Sequence, residues 1–191
     1  MDSVPSLAAA AAAGDATAVN DLLEKVWPDA FRIAWSVLGE RTAAEDAAQE
    51  ACARTLTAIG SLRTPEAFPA WFYRIVVNEA NRRRRTLSNA AAAAEEPRDT
   101  VEAVGNEERI DLERALHALE PPLRVVIVLR YYLRLSGKEI ATIVGASAMT
   151  VRWRLFVARR RLRAMLSEPT TSPRISMHNN GAYADEPQAV R

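Results

Sequence analysis

The stretch SGKEIATIVGASAMTVRWRLFVARRRLRAML, residues 136–166, decides the fold. It reads as two helices joined by a tight turn. Ala141 is small where two helices would cross, Gly145 permits the positive φ of the turn, and Val151 can pack the second helix on the first. Ser147 is suited to cap that second helix. The apolar residues Val151, Leu155, Ala158 and Leu162 recur at intervals of four, three and four, which makes one helical stripe. Arg152, Trp153, Arg154, Arg159, Arg160, Arg161 and Arg163 fall largely outside it. A helix fits the major groove of DNA, its first residues reach base edges, and arginines along it contact phosphate or guanine. The same residues also fit a basic, solvated helix of an ordinary bundle, and this segment alone leaves both readings open.

The neighbouring sequence extends the basic character. From Glu107 to Ser167 twelve Arg or Lys stand against six Asp or Glu, whereas Thr86 to Asn106 holds one against four. A net charge of +1 for the whole chain thus hides a basic C-terminal part behind an acidic linker. Upstream of the quoted stretch, helical periodicity covers Ile110 to Leu119. Pro121-Pro122 then opens another helix, Leu123 to Leu133. Residues 107–167 therefore read as one helical domain. The linker, 86–106, has five Ala in a row followed by Glu, Pro, Asp and Gly, with little to bury. Residues 168–191 hold three Pro and no periodicity and read as a disordered tail.

Residues 15–85 read as a second, separate helical domain behind a disordered or weakly helical leader, 1–14. Ala18 to Leu38 places Leu22, Leu23, Val26, Trp27, Ala30, Phe31, Ala34, Trp35 and Leu38 at helical intervals. Pro28 predicts a kink or a break there, and Gly39 a stop. Thr42 with Glu45 has the pattern of a capping box for a helix from Ala43 to Ile59. A loop, Gly60 to Phe68, precedes a third helix with Pro69 in its first turn and Arg85 near its end. Asp46, Gln49 and Glu50 share one face of the second helix, either a solvated face or a docking surface for a basic partner. On the third helix Trp71, Phe72 and Tyr73 precede Arg74, Asn78, Asn81 and Arg82 to Arg85. Aromatics beside amides and guanidinium groups suit opened DNA, although Trp71 and Phe72 read first as core.

Several function classes are excluded by what the chain lacks. Cys52 is the sole cysteine, so no intrachain disulfide forms. His117 and His178 have no companion ligands, and no metal or cofactor is expected. No nucleophile dyad, carboxylate cluster or phosphate loop points to an enzyme. No apolar run is long enough to cross a membrane, so no membrane insertion is expected and the expected location is cytoplasmic.

Four stretches together resemble a known family. Gly14 to Gly39, then Ala44-Glu45-Asp46-Ala47-Ala48-Gln49-Glu50, then Phe68 to Asn78 are similar to the promoter-melting domain of extracytoplasmic-function sigma factors of the sigma-70 family. Leu116 to Leu166, with Leu119-Glu120-Pro121-Pro122-Leu123-Arg124, is similar to that family's domain for the −35 element. The resemblance implies an all-α protein of two small domains joined by a flexible linker. It further implies binding to core RNA polymerase, at the β′ clamp helices and the β flap, and to promoter DNA, with an anti-sigma factor as a further partner. On that resemblance Asp46, Gln49 and Glu50 face the clamp helices, and Ser61 to Phe68 is the loop that captures a flipped −10 base. Arg74, Asn78, Asn81 and Arg82 contact the −10 region. Thr150, Arg152, Trp153, Arg154 and Arg159 contact the −35 element. The chain departs from the family where Met149 precedes Thr150-Val151 and where Trp153 replaces a small residue. These bulky side chains suggest an altered target or an apolar contact to a thymine methyl. A stand-alone helix-turn-helix regulator, dimeric on duplex DNA, is the competing reading.

Overall fold

A computed structural model describes residues 3–94 and 107–167, and among these every regular element is helical. In chain order the helices are α1 (Val4–Ala12), α2 (Ala16–Leu38), α3 (Arg41–Ala58), α4 (Phe68–Ala94), α5 (Glu107–His117), α6 (Pro121–Ile127), α7 (Gly137–Val144) and α8 (Ala148–Ser167).

Local chemistry sets most of the boundaries. The Asp15 carboxylate accepts from the N–H groups of Thr17 and Ala18 and so opens α2. Gly39 closes it in the left-handed region at φ 73°. Pro28 lies inside one unbroken helix, so the two-helix alternative does not occur. The start of α3 differs from expectation. Glu40, not Thr42, is the cap, its two oxygens accepting from the N–H groups of Thr42 and Ala43. A carboxylate there satisfies two orphan donors and meets the positive end of the helix dipole. Those bonds, that to Ala43 foremost, hold the Glu40 carboxyl below its ordinary value.

Two other boundaries moved. The leader expected to be disordered or weakly helical contains α1, whose Leu7, Ala8 and Ala11 are buried against the first domain. Alanine-rich sequence gives no amphipathic contrast, yet small faces pack closely. The expected linker also begins later, because α4 continues to Ala94. Alanines are the best helix formers, and no Gly or Pro intervenes before Pro97. The rest of the linker, 95–106, and the tail, 168–191, lie outside the described residues.

Packing follows from residue size. Ala30, Ala34, Ala44, Ala47, Ala48 and Ala51 are buried where α2 meets α3 and let the backbones approach closely. Larger side chains, Leu22, Ile33, Phe68, Phe72 and Val76, fill the space toward α4. Phe68 and Phe72 stack at 5.6 Å between ring centroids, and Trp71 packs at the edge of this core. Tyr73 donates its hydroxyl to Asp29 at 2.6 Å, tying α4 to α2. Burial and that carboxylate push the phenol pKa well up, so the group stays a donor.

In the second domain Leu119, Leu123, Ile127 and Ala158 make a small core beneath α8. The helix expected over Leu123–Leu133 widens at Val128–Tyr132 into a single π turn, and Arg134 follows at φ 57°. Insertion of this wide turn swings the chain from α6 toward α7. The two domains also pack on each other. Val125, Val126, Leu129, Ile140, Ile143 and Val151 join the core built by α2 and α4. At the seam the Trp35 and His117 rings meet edge to face at 4.1 Å, and the Arg32 guanidinium lies 4.1 Å from the Tyr132 ring centroid.

Candidate nucleic-acid interface

Helices α7 and α8 meet at 103° across the turn Gly145–Ser147, the geometry of a helix-turn-helix. Ser136 and Glu139 close a capping box at the start of α7, and Gly145 ends it at φ 64°. The Thr150 N–H donates to Ser147 Oγ at 3.0 Å, which fixes the start of α8. Val151 and Ala158 are fully buried, and Leu155 and Leu162 pack beside them, so the stripe read from the sequence is the packed face. Six arginines and no acidic residue lie on α8.

The candidate −35 residues are not equivalent. Arg152, Trp153 and Arg159 are exposed. The Thr150 hydroxyl is engaged with that of Ser147 at 2.8 Å, so it closes the turn. Arg154 is half-buried and faces the first domain, lining a cleft of about 170 Å³ with Asn81, Val77, Pro121, Pro122 and Val144.

On α4, Arg74, Asn78 and Arg82 form an exposed row at four-residue spacing. Asn81 is turned partly inward, its amide donating to the Val77 carbonyl at 2.9 Å. Sequence reasoning treated the acidic patch of α3 and the arginines of α4 as separate features. The structure brings them together. Glu50 pairs with Arg54 at 3.0 Å and lies 3.7 Å from Arg82, while Asp46 pairs with Arg83. Between them sits Glu79, 5% exposed, bonded to Arg54 at 3.0 Å and to Arg82 at 2.6 Å. Glu79 was missed because one acid between Asn78 and Ala80 carries no signal until α3 is packed beside it.

Gln49 is exposed and borders an open apolar groove with Leu23, Trp27, Cys52, Ala53 and Leu56. Burial pushes the Cys52 thiol up to about 11, so it is protonated and unreactive at neutral pH. Arg124, quoted in the sequence only for its resemblance, is buried and donates to the carbonyls of His117 and Leu119. Among the described residues no group of three or more His, Cys, Asp or Glu could hold a metal ion. No single helix there is long and apolar enough to cross a membrane.

Comparison with known proteins agrees with this layout. The family model of sigma-70 region 2 matches residues 22–89, and that of sigma-70 region 4 matches residues 109–162. The chain is 31% identical over 149 residues to the RNA polymerase sigma factor SigV of Bacillus subtilis, covering 75% of this chain and 88% of that one. It is 34% identical over 131 residues to the ECF RNA polymerase sigma-E factor of Escherichia coli, covering 60% and 69%. Among solved structures, CnrH in complex with the cytosolic domain of CnrY aligns with a TM-score of 0.63 at 27% identity. That alignment covers 86% of this chain and 97% of that one. The Bartonella quintana sigma factor RpoE, solved with the anti-sigma factor NepR, shares the fold with a TM-score of 0.70. The chain therefore belongs to the sigma-70 family, in its extracytoplasmic-function branch, whose members are not enzymes but the promoter-directing subunits of bacterial RNA polymerase.

Proposed function

We propose that α3 docks this chain on the β′ clamp helices of core polymerase, that α4 contacts the −10 element, and that α8 enters the major groove at the −35 element, all in the cytoplasm. The observation that carries the assignment is the ion-pair layer between α3 and α4. It ties α3 to α4 as one unit, so the polar patch Asp46, Gln49 and Glu50 on α3 is held beside the exposed row Arg74, Asn78 and Arg82 on α4. Exposed Arg152, Trp153 and Arg159 make the second DNA surface, with Arg154 joining it once the domains part.

The packed arrangement is the form of the chain before it engages DNA. Positions −10 and −35 lie about 25 base pairs apart, which is about 85 Å at about 3.4 Å per pair. A packed body of about 150 residues has a radius of gyration of only about 15 Å. One promoter cannot be read at both elements until α6 and α7 leave α2 and α4. Separation also uncovers Asn81 and Arg154, which share one cleft in the packed form. The complex of Bartonella quintana RpoE with the anti-sigma factor NepR makes an anti-sigma factor a natural further partner for this chain.

The test is co-purification with core polymerase. Asp46→Asn plus Glu50→Gln removes the charge without creating repulsion against Arg54, Arg82 and Arg83. Retention on core should fall at least tenfold while helicity is kept. Unchanged retention would remove the docking assignment.

A further inference from the structure

The recognition helix carries an apolar row that its packing does not use. At about 100° per residue, Met149, Trp153 and Phe156 fall roughly opposite Val151, Leu155 and Ala158, with Arg160 continuing the same row. The accessibilities agree: Met149 is 68% exposed, Trp153 61% and Phe156 58%, whereas Val151 and Ala158 are fully buried. Trp153 has not folded down onto Met149 to shield the helix, since both remain more than half open. Three large apolar side chains in a line on a solvated helix are unfavourable in water and mark a surface that something covers.

Charge identifies the occupant. Arg152, Arg159 and Arg163 flank the row along one side and Arg160 stands within it. No carboxylate on α8 offsets them. An apolar strip edged by arginines complements the floor and walls of a major groove, where thymine presents a 5-methyl group between rows of phosphate. From Met149 to Phe156 the helix rises about 10 Å, the length of about three base-pair steps.

We propose that Met149, Trp153 and Phe156 form an apolar reading ridge that takes thymine 5-methyl groups on about three successive base pairs of the −35 element. The inference rests on the placement of α8 at that element and adds the chemistry by which it chooses its sequence. The preferred −35 element is therefore rich in A·T pairs whose thymines lie under the ridge.

The probe is deoxyuridine, which pairs as thymidine does and lacks only the methyl. The full chain, bound to core polymerase, is measured on its own promoter, found by run-off transcription, with −35 thymidines replaced one at a time. Affinity should fall about fourfold for each methyl under the ridge, the effect of one buried methyl-sized group. Trp153→Ser and Phe156→Ser should bind the natural promoter more weakly and no longer distinguish deoxyuridine from thymidine at the matching position. Should a variant lose helicity, the wild-type series on modified DNA decides alone. Binding that depends on the −35 sequence but ignores deoxyuridine overturns the ridge as a reader and leaves it to a protein partner. Binding with no dependence on the −35 sequence at all overturns the placement of α8, and the ridge with it.

Discussion

Glu79 shows how one residue can join two surfaces. Its carboxylate is nearly buried between Arg54 of α3 and Arg82 of α4, so it bridges two guanidinium groups where the helices meet. Removing one member of a buried pair leaves the other charge uncompensated, which costs more than the pair contributes. Because Arg54 and Arg82 remain about half exposed, water recovers part of that cost. Glu79→Gln should lower unfolding stability by about 2 kcal/mol, within the range for an unmade buried hydrogen bond to a charged group. Urea denaturation checks this, and an unchanged midpoint would mean that the pairs are ornamental. Glu79 and Arg124 were both illegible in the sequence for the same reason. A lone charged residue on a helix reads as solvated until the neighbouring element that buries it is known.

At the scale of elements, the helix-turn-helix was legible almost residue by residue. Its signals are local: a helix stop at Gly145, a cap at Ser147 and a 4-3-4 apolar stripe. Gly145 lies at φ 64° with open space where a Cβ would stand, so substitution there costs backbone strain alone. Gly145→Ala should destabilise the second domain by about 1 kcal/mol, and Gly145→Asn by less, since Asn tolerates the left-handed region. Thermal melts would show the order, and equal effects would contradict it. The cap of α3 was misread because Thr-x-x-Glu also occurs at Thr42–Glu45, where Thr42 already lies in the first turn of the helix that Glu40 opens. The packing of the leader was not legible because alanine carries no contrast between faces. Leu7, Ala8 and Ala11 are buried, so deleting residues 1–13 should lower the melting temperature by several degrees, at about 4–8 °C per kcal/mol for a small domain. No change on deletion would show that α1 adds nothing to the first domain.

At the scale of the whole molecule, the sequence showed two domains but not that they pack together. The seam is made by residues distant in sequence. Trp35 meets His117, Arg32 meets Tyr132, and Gly39 lies under Arg124. Desolvation, helped by Arg124 and opposed by Glu113, lowers the His117 pKa below its ordinary 6.5. The packed form therefore favours the neutral ring. Its support is full above pH 6.5 and is lost as pH falls from there through the lowered value. Fluorophores on Thr57→Cys and Arg163→Cys, with buried Cys52 left unlabelled, should report domain separation on acidification. His117→Gln should remove that pH response, and a response that persisted would place the titrating group elsewhere. A Cβ on Gly39 would come 3.0 Å from Arg124 Nη1 at a backbone φ of 73°, so Gly39→Ala should favour the separated form at neutral pH. Promoter direction itself is tested most directly by run-off transcription with purified core polymerase on a genomic fragment library. A discrete set of start sites should arise only when core and this chain are both present, and should vanish with Asp46→Asn plus Glu50→Gln. Duplex binding as a dimer, with no start site gained by core, would contradict the account and make the chain a stand-alone regulator.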